Sequence, residues 1–203
     1  YASICQRDQF DRPVMGHVNF CPSQVSTAEA DFGEQLDTAV HELLHALGFD
    51  ATSWALFREA DGTPRTARDS STGLPTPTAS YTCPDGAVVS NAYVPDANTL
   101  TVGTQRGVAV HKLVTPRVVS VARDLLGCDS IDGAELENQP TTAGGCFGSH
   151  WEQRLFVHEL MAPIALHVGV YSALTLAALE DSGWYQPNYT VSSPLPWWRS
   201  AGC

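Results

Sequence analysis

The sequence is short of basic residues, of long apolar runs and of closely spaced cysteines, and each shortage excludes a class of protein. Eleven lysines and arginines stand against 22 acidic residues, so the net charge is −11. Nucleic-acid binding needs a basic face, and that class is therefore excluded. No apolar run approaches the ~20 residues that cross a bilayer. No biased tract indicates disorder, so the composition predicts one globular domain or two small lobes sharing a cleft.

The six cysteines include no C-x-x-C pair, which argues against a structural zinc site or a redox motif. An even, widely spaced set favours disulfides, and Asn188 begins a candidate N-glycosylation sequon. Both features predict a secreted or cell-surface location. The chain starts at Tyr1 with neither an initiator methionine nor a signal peptide, so we expect it to be a processed piece of a longer precursor.

Residue spacing predicts a mixture of helices and extended segments. A helix is expected from about Phe32, and Gly48 is expected to end it. The apolar residues that recur there at three- and four-residue steps are Leu36, Val40, Leu43, Leu44 and Leu47. The other expected features are extended chain over 1–25, an irregular stretch over 60–107, short strands at 87–90 and 107–112, helices at 115–126 and 171–181, a glycine-rich turn at 144–148 and an extended C-terminal strap that contains Trp197 and Trp198.

The most informative stretch lies on the first predicted helix and reads His41-Glu42-Leu43-Leu44-His45. Residues four apart share a helix face, so the two imidazoles can bind one metal ion. Glu42 is then held beside the metal, where it can accept a proton from a zinc-bound water. The spacing therefore predicts a zinc hydrolase in which Glu42 is the general base.

A hydrolytic zinc site needs three protein ligands and keeps a fourth position for water. The longer pattern H-E-x-x-H-x-x-G-x-x-H matches through Gly48 and then fails, because Ala51 stands where the third histidine belongs. The third ligand is therefore expected further along the chain, and His150 is favoured because a glycine-rich turn precedes it. The other downstream candidates are His111, His158, His167 and Glu59, while His17, His111 and His167 are isolated and typical of surface or packed histidines.

Taken together, these stretches make the chain similar to the leishmanolysin family of metzincin metallopeptidases over most of its length. The similar stretches are 39–49 (AVHELLHALGF), 148–152 (GSHWE), 159–163 (ELMAP), 173–175 (ALT), 181–185 (DSGWY) and 201–203 (AGC). The resemblance implies an α+β, metzincin-like zinc protease with two lobes around an active-site cleft. It also implies an insertion after Gly48, which carries the third-ligand role onto His150, and a turn beneath the zinc that contains Met161.

The resemblance has consequences for the disulfides and for the domain organisation. It implies a Cys128–Cys203 bond, and we expect Cys5–Cys21 and Cys83–Cys146 for the other four cysteines. It divides one catalytic module, 1–203, into part of an N-terminal lobe (1–48) and a C-terminal lobe (49–203). The family has more chain before the zinc helix, so the N-terminal lobe is expected to be truncated and completed by further segments or chains of the same protein.

The function expected from these features is a zinc-dependent metalloendopeptidase that holds one Zn²⁺ and cleaves protein or peptide substrates. Two other interpretations stay open. One is a non-catalytic zinc-bearing structural or adhesion module in a larger extracellular assembly, although such a site would be closed by a fourth ligand and would not need Glu42. The other is a protease whose third ligand is a downstream glutamate such as Glu59, against which the Met161 turn and Gly48 argue.

Overall fold

The computed structural model describes residues 1–83, 86–138, 146–164, 169–196 and 199–203. Its helices and strands in these ranges are, in chain order, β1 (Ala2–Arg7), β2 (Pro13–Val18), α1 (Phe32–Leu47), β3 (Tyr81–Thr82), β4 (Val88–Val89), β5 (Leu100–Gln105), β6 (Val108–Leu113), α2 (Pro116–Leu126), β7 (Ala134–Leu136) and α3 (Ala173–Asp181).

The first part of the chain is an antiparallel hairpin packed against α1. Strands β1 and β2 pair from Ala2↔Val18 to Arg7↔Pro13. Helix α1 ends at Gly48, whose backbone is left-handed with φ of 116° and whose N–H donates to the carbonyl of His45 at 3.0 Å. A glycine is favoured here because other residues rarely adopt positive φ. The predicted helix and its predicted end are confirmed.

The central sheet has the order β5-β6-β7 and is antiparallel throughout, with β6 in the middle. Helices α2 and α3 pack against each other, and each begins as the sequence suggests: Pro116 opens α2, and the Ser172 side chain accepts from Leu174 N–H at the start of α3. Large side chains fill the core between these elements, among them Phe49, Trp54 and Trp151.

The expectation of an irregular segment over 60–107 is only partly right. Strand β5 lies inside it, together with the two-residue strands β3 and β4, which pair with each other. Most of β5 is exposed after Leu100, so it has no alternation of buried and exposed apolar residues that would have marked it as a strand. Strand β7 was not predicted, whereas the strands expected at 87–90 and 107–112 are present as β4 and β6.

Two of the three expected disulfides are present, Cys83–Cys146 and Cys128–Cys203. The expected Cys5–Cys21 bond is wrong for this structure, in which both residues are free and exposed. The hairpin register explains the separation, because Asn19 N–H donates to Tyr1 O and Cys21 therefore lies beyond the start of β1, while Cys5 lies well inside it. A disulfide needs α-carbons within about 7 Å of each other.

Some expectations lie outside the described residues: His167, Trp197, Trp198 and residues 144–145 of the expected glycine turn. The mixed helix and strand composition is confirmed, and the two-lobe arrangement and the truncated N-terminal lobe stay predictions. Among the described helices, none combines the length and the apolar character needed to span a bilayer.

Candidate metal centre

Three imidazole nitrogens meet at one point of the structure. The Nε2 atoms of His41, His45 and His150 are separated by 3.0 Å (41 to 45), 3.1 Å (45 to 150) and 3.2 Å (41 to 150). The structure thus brings together the three residues predicted as ligands, although His150 lies 105 residues after His45.

The opposite nitrogen of each ring faces a hydrogen-bond acceptor. The Nδ1 atoms lie 2.7 Å from Leu160 O (for His41), 2.7 Å from Phe49 O (for His45) and 2.7 Å from Glu137 Oε1 (for His150). A carbonyl oxygen can only accept, so Nδ1 carries the proton in His41 and His45, and a carboxylate imposes the same tautomer on His150. In the neutral rings the three Nε2 lone pairs therefore point at one another with no proton between them. A cation bound at this point would remove their mutual repulsion.

Burial favours the neutral rings. The pKa of His45 is lowered to about 4, mainly by desolvation and in addition by the neighbouring His41 and His150. Desolvation likewise lowers the pKa of His41. Neutral imidazole is the form that binds a metal. Burial by itself raises the pKa of Glu137, but the hydrogen bond and charge of His150 outweigh it and the net pKa is lowered, so Glu137 is ionised beside the ring.

Helix α1 places two of the rings side by side, and the residues just after it orient one of them, His45. His41 and His45 are four residues apart and share one face of α1. The left-handed turn at Gly48 then brings the carbonyl of Phe49 back to His45. Phe49 is 1% exposed, and its N–H donates to Leu44 O at 3.0 Å.

The third ring is positioned by contacts between distant segments. Ala51 N–H donates to Ser149 Oγ at 3.1 Å, and Trp54 Nε1 donates to Gly148 O at 3.0 Å. Glu137 N–H donates to the carbonyl of His150 at 2.9 Å, next to the side-chain contact of the same pair. Ala51 stands where the longer motif has its third histidine, and its backbone is hydrogen-bonded to the segment that contains His150.

The turn that contains Met161 connects two of the ligands. Leu160 O accepts from His41, Met161 O accepts from Trp151 N–H at 2.9 Å, and Met161 is fully buried. Glu159 holds this turn through three bonds to its carboxylate: from Met161 N–H at 2.5 Å, Ser172 Oγ at 2.8 Å and Thr175 Oγ1 at 2.6 Å.

Glu42 lies next to this centre, as its place in the motif predicts. Its side chain is 15% exposed, and Oε1 lies 3.3 Å from the nitrogen of Tyr1. Its other oxygen, Oε2, is buried and has no partner within the described part of the chain. A buried carboxylate oxygen without a donor is a place where a water or a substrate group can bind.

The remaining candidates are not part of the three-nitrogen cluster. His111 is buried against Phe147, Glu59 pairs with Arg65 at 2.9 Å, and His17 lies beside Tyr1. His158 lines a neighbouring cavity. Sequence reasoning missed the positioning role of Glu137 and Glu159, since no spacing rule connects either residue with the histidines.

Three imidazoles supplied by an H-E-x-x-H helix and a distant loop define a candidate metal centre of the metallopeptidase type. Comparison with known proteins agrees, because the leishmanolysin family model matches residues 1–203. The chain belongs to the leishmanolysin family.

Individual relatives are similar over the whole of this chain. The leishmanolysin-like peptidases of Caenorhabditis elegans and Drosophila melanogaster are 42% identical over 214 residues and 38% identical over 204 residues. The ciliated left-right organizer metallopeptidase of Xenopus laevis is 31% identical over 208 residues. The chain covers 30%, 30% and 24% of these three proteins, so it corresponds to less than a third of each.

Proposed function

We propose that the chain carries the active site of a zinc metalloendopeptidase, with zinc on the Nε2 atoms of His41, His45 and His150. The observation that supports this most strongly is the nitrogen triangle. Zn–N bonds of about 2.0–2.1 Å at tetrahedral angles place neighbouring nitrogens about 3.3 Å apart. The three separations here are 3.0–3.2 Å, and each ring already has the tautomer that a zinc ligand needs.

The centre also has the form of a catalytic site. Among the described residues, the group able to bind the ion has three members, all histidines. A structural zinc site is closed by a fourth protein ligand, whereas a catalytic one leaves that position open. This argues against the alternative of a non-catalytic structural or adhesion module, which would have no use for Glu42.

Zinc at this centre would supply Lewis acidity, which polarises a peptide carbonyl and makes water a better nucleophile. The protein residues do the rest. The three histidines would hold the ion, and Leu160 O, Phe49 O and Glu137 fix the orientation of their rings. Glu42 takes the proton of the attacking water on its free Oε2 and delivers it to the leaving amine nitrogen. Met161 packs below the ligands without reacting.

Metal content and peptidase turnover, measured on the complete gene product, test the proposal. One zinc per chain and cleavage of a quenched peptide that a chelator abolishes are expected. Glu42→Ala should keep the zinc and lose about 10²–10⁴-fold in kcat, the usual contribution of a general base. Glu29→Ala, an exposed glutamate before α1, is the matched control and should keep normal turnover. Zinc without turnover in the unmutated protein would support the structural alternative.

The proposal also covers the substrates, the cellular location and the glycosylation of the protein. Protein or peptide substrates follow from peptidase chemistry, and the two disulfides are typical of an oxidising compartment, which supports a secreted or cell-surface location. Asn188 is exposed, as a glycan acceptor must be, and its glycosylation stays a prediction.

A further inference from the structure

Helix α3 supplies none of the three nitrogens of the metal centre, but a buried network of side chains connects it to two segments that build the centre. The indole Nε1 of Trp151 donates to Thr175 Oγ1 at 2.9 Å, and Thr175 Oγ1 donates to Glu159 Oε1 at 2.6 Å. Ser172 Oγ donates to the same carboxylate oxygen at 2.8 Å. All four residues are buried. We call Trp151, Thr175, Glu159 and Ser172 the α3 network.

The direction of each bond in the α3 network follows from the donors that are present. An indole N–H can only donate, so Thr175 Oγ1 accepts from Trp151 and uses its own proton for Glu159. Ser172 Oγ accepts from Leu174 N–H at 3.1 Å, so its proton is likewise directed to Glu159. Each polar side-chain atom of the network therefore has a partner. A buried network that is fully satisfied in this way makes its surroundings rigid.

Two of the three histidines are connected to the α3 network through the chain itself. His150 is covalently joined to Trp151. Leu160 directly follows Glu159, and its carbonyl lies 2.7 Å from Nδ1 of His41. Any shift of Trp151 or Glu159 is therefore transmitted to a ligand, or to the group that orients a ligand, through a single peptide unit.

The third histidine is connected to the network by packing. The ring of Trp151 lies edge-on against Phe49, with 5.0 Å between the ring centroids, and Phe49 O lies 2.7 Å from Nδ1 of His45. Trp151 N–H also donates to Met161 O at 2.9 Å. Trp151 thus contacts both the residue whose carbonyl orients His45 and the turn whose preceding carbonyl orients His41.

We propose that the α3 network positions the three zinc ligands as one unit, and that Thr175, which contacts none of them, is a positioning residue of the metal centre. The inference rests on the proposed function, because it takes the centre to hold zinc. The competing explanation is that the network only anchors α3 to the core.

The chemistry of the network favours positioning over simple anchoring. Apolar side chains would anchor a helix in a core without the cost of burying three polar side chains and an indole N–H. Hydrogen bonds, unlike apolar contacts, fix direction as well as distance. Fixed direction is what a zinc ligand needs, because its ring must present one nitrogen to the ion.

Zinc affinity of the complete gene product, measured by competition with a chelator, tests the proposal. Thr175→Val keeps the shape of the side chain and removes the hydroxyl, so it should weaken zinc binding about tenfold, the lower end of the range for groups that orient a ligand directly. Thr175→Ser keeps the hydroxyl and should restore the affinity. Thr66→Val is the matched control, because it removes another buried hydroxyl, which accepts from Asp96 N–H at 3.2 Å outside the network. It should lower stability without lowering zinc affinity.

A double-mutant cycle tests whether the bond between Trp151 and Thr175 transmits the effect. Trp151→Phe keeps an aromatic ring beside Phe49 and removes the indole N–H, so it breaks the same bond from the other side. The double variant should therefore lose about as much zinc affinity as the weaker-binding single variant, and not the product of the two losses. Urea unfolding identifies any variant that does not fold, and in that case Trp151→Phe and Thr175→Ser provide the comparison.

The outcomes separate failure of the network from failure of the enzyme. Equal zinc affinity in Thr175→Val and Thr66→Val, or independent losses in the double variant, would overturn the positioning role and leave the peptidase. A loss of affinity specific to Thr175→Val, in a protein that binds zinc without any turnover, would keep the positioning role and overturn the peptidase. Absence of zinc binding in the unmutated protein would overturn both.

Discussion

The two parts of the protein that build the metal centre do so by different means. In residues 41–49, two ligands and one of the groups that orient them lie within nine consecutive positions, so local helix geometry and one turn are sufficient. In residues 137–138 and 146–161, the third ligand depends on contacts between segments far apart in sequence. The first part forms wherever the helix forms. The second requires the whole domain to be folded.

The two parts also differ in what orients the rings. His41 and His45 are held by backbone carbonyls, which no side-chain substitution can remove. His150 is held by the carboxylate of Glu137, and the turn that contains Met161 is held by the carboxylate of Glu159. The distant part therefore depends on buried carboxyl groups, and we expect it to be the part that is sensitive to single substitutions and to pH.

The largest effect should come from removing a ligand in each part. His45→Ala and His150→Ala should each weaken zinc binding by more than 100-fold, which exceeds the 10–100-fold expected for residues that only orient a ligand. Turnover should be lost in both. Competition with a chelator of known affinity measures the zinc constant, and His111→Ala, a buried histidine outside the centre, is the control. Near-normal zinc binding in His150→Ala would move the third-ligand role elsewhere.

The second effect is a pH dependence of stability caused by Glu159. Burial raises its pKa from the ordinary 4.5 to about 7, although hydrogen bonds from Thr175, Met161 and Ser172 partly oppose the shift. The folded state therefore holds the proton more tightly than the unfolded state. The resulting stability is present below pH 4.5 and is lost as the pH rises through 7, by about 3 kcal/mol in total.

Glu159→Gln removes this titration and is the variant that reveals it. The free energy of unfolding in urea, at a fixed zinc concentration, should fall between pH 5 and pH 8 more steeply in the unmodified protein than in the variant. The comparison of the two proteins cancels the titration of the zinc histidines. An identical difference in stability at both pH values would mean that Glu159 does not titrate in this range.

The third effect tests the side-chain support of His150. Glu137→Ala should weaken zinc binding by about 10–100-fold, because the ring loses the acceptor that fixes its tautomer and orientation. Glu137→Gln keeps an oxygen for His150 Nδ1 and Ser149 N–H, so it should recover most of the affinity. Zinc affinity is again measured by competition with a chelator of known affinity. Equal losses in both variants would indicate that the charge of Glu137, and not its position, is what matters.

The same contrast explains how much of the structure the sequence could predict. The helix α1, its end at Gly48 and two ligands follow from spacing within a few residues. His150 was favoured because of the glycine-rich turn before it and was assigned, like Met161, through family resemblance, because no spacing rule connects either residue with His45. The strand β5 and the roles of Glu137 and Glu159 depend on pairings between segments, which one sequence does not encode in any local pattern. The Cys5–Cys21 expectation failed for the same reason, since strand register decides it.

The smallest effect compares two glycines that end helices. Gly48 ends α1 with φ of 116°, and Gly127 ends α2 with φ of 66°. An alanine at either position adopts an unfavourable backbone, at a cost of about 1–2 kcal/mol in the free energy of unfolding. At Gly48 the new Cβ would also lie 2.9 Å from the ring of Trp184, whereas at Gly127 the nearest atom is 3.4 Å away.

Gly48→Ala should therefore move the turn that carries Phe49 O to His45, and it should weaken zinc binding several-fold, while Gly127→Ala lowers stability alone. Urea unfolding and chelator competition on both variants separate these effects. The acceptor of His45 Nδ1 is a backbone carbonyl, so a substitution can disturb this hydrogen bond only by moving the backbone. The Gly48 variant therefore tests for His45 what Glu137→Ala tests for His150. Equal zinc affinity in the two glycine variants would show that the helix alone positions His45, without the bond to Phe49.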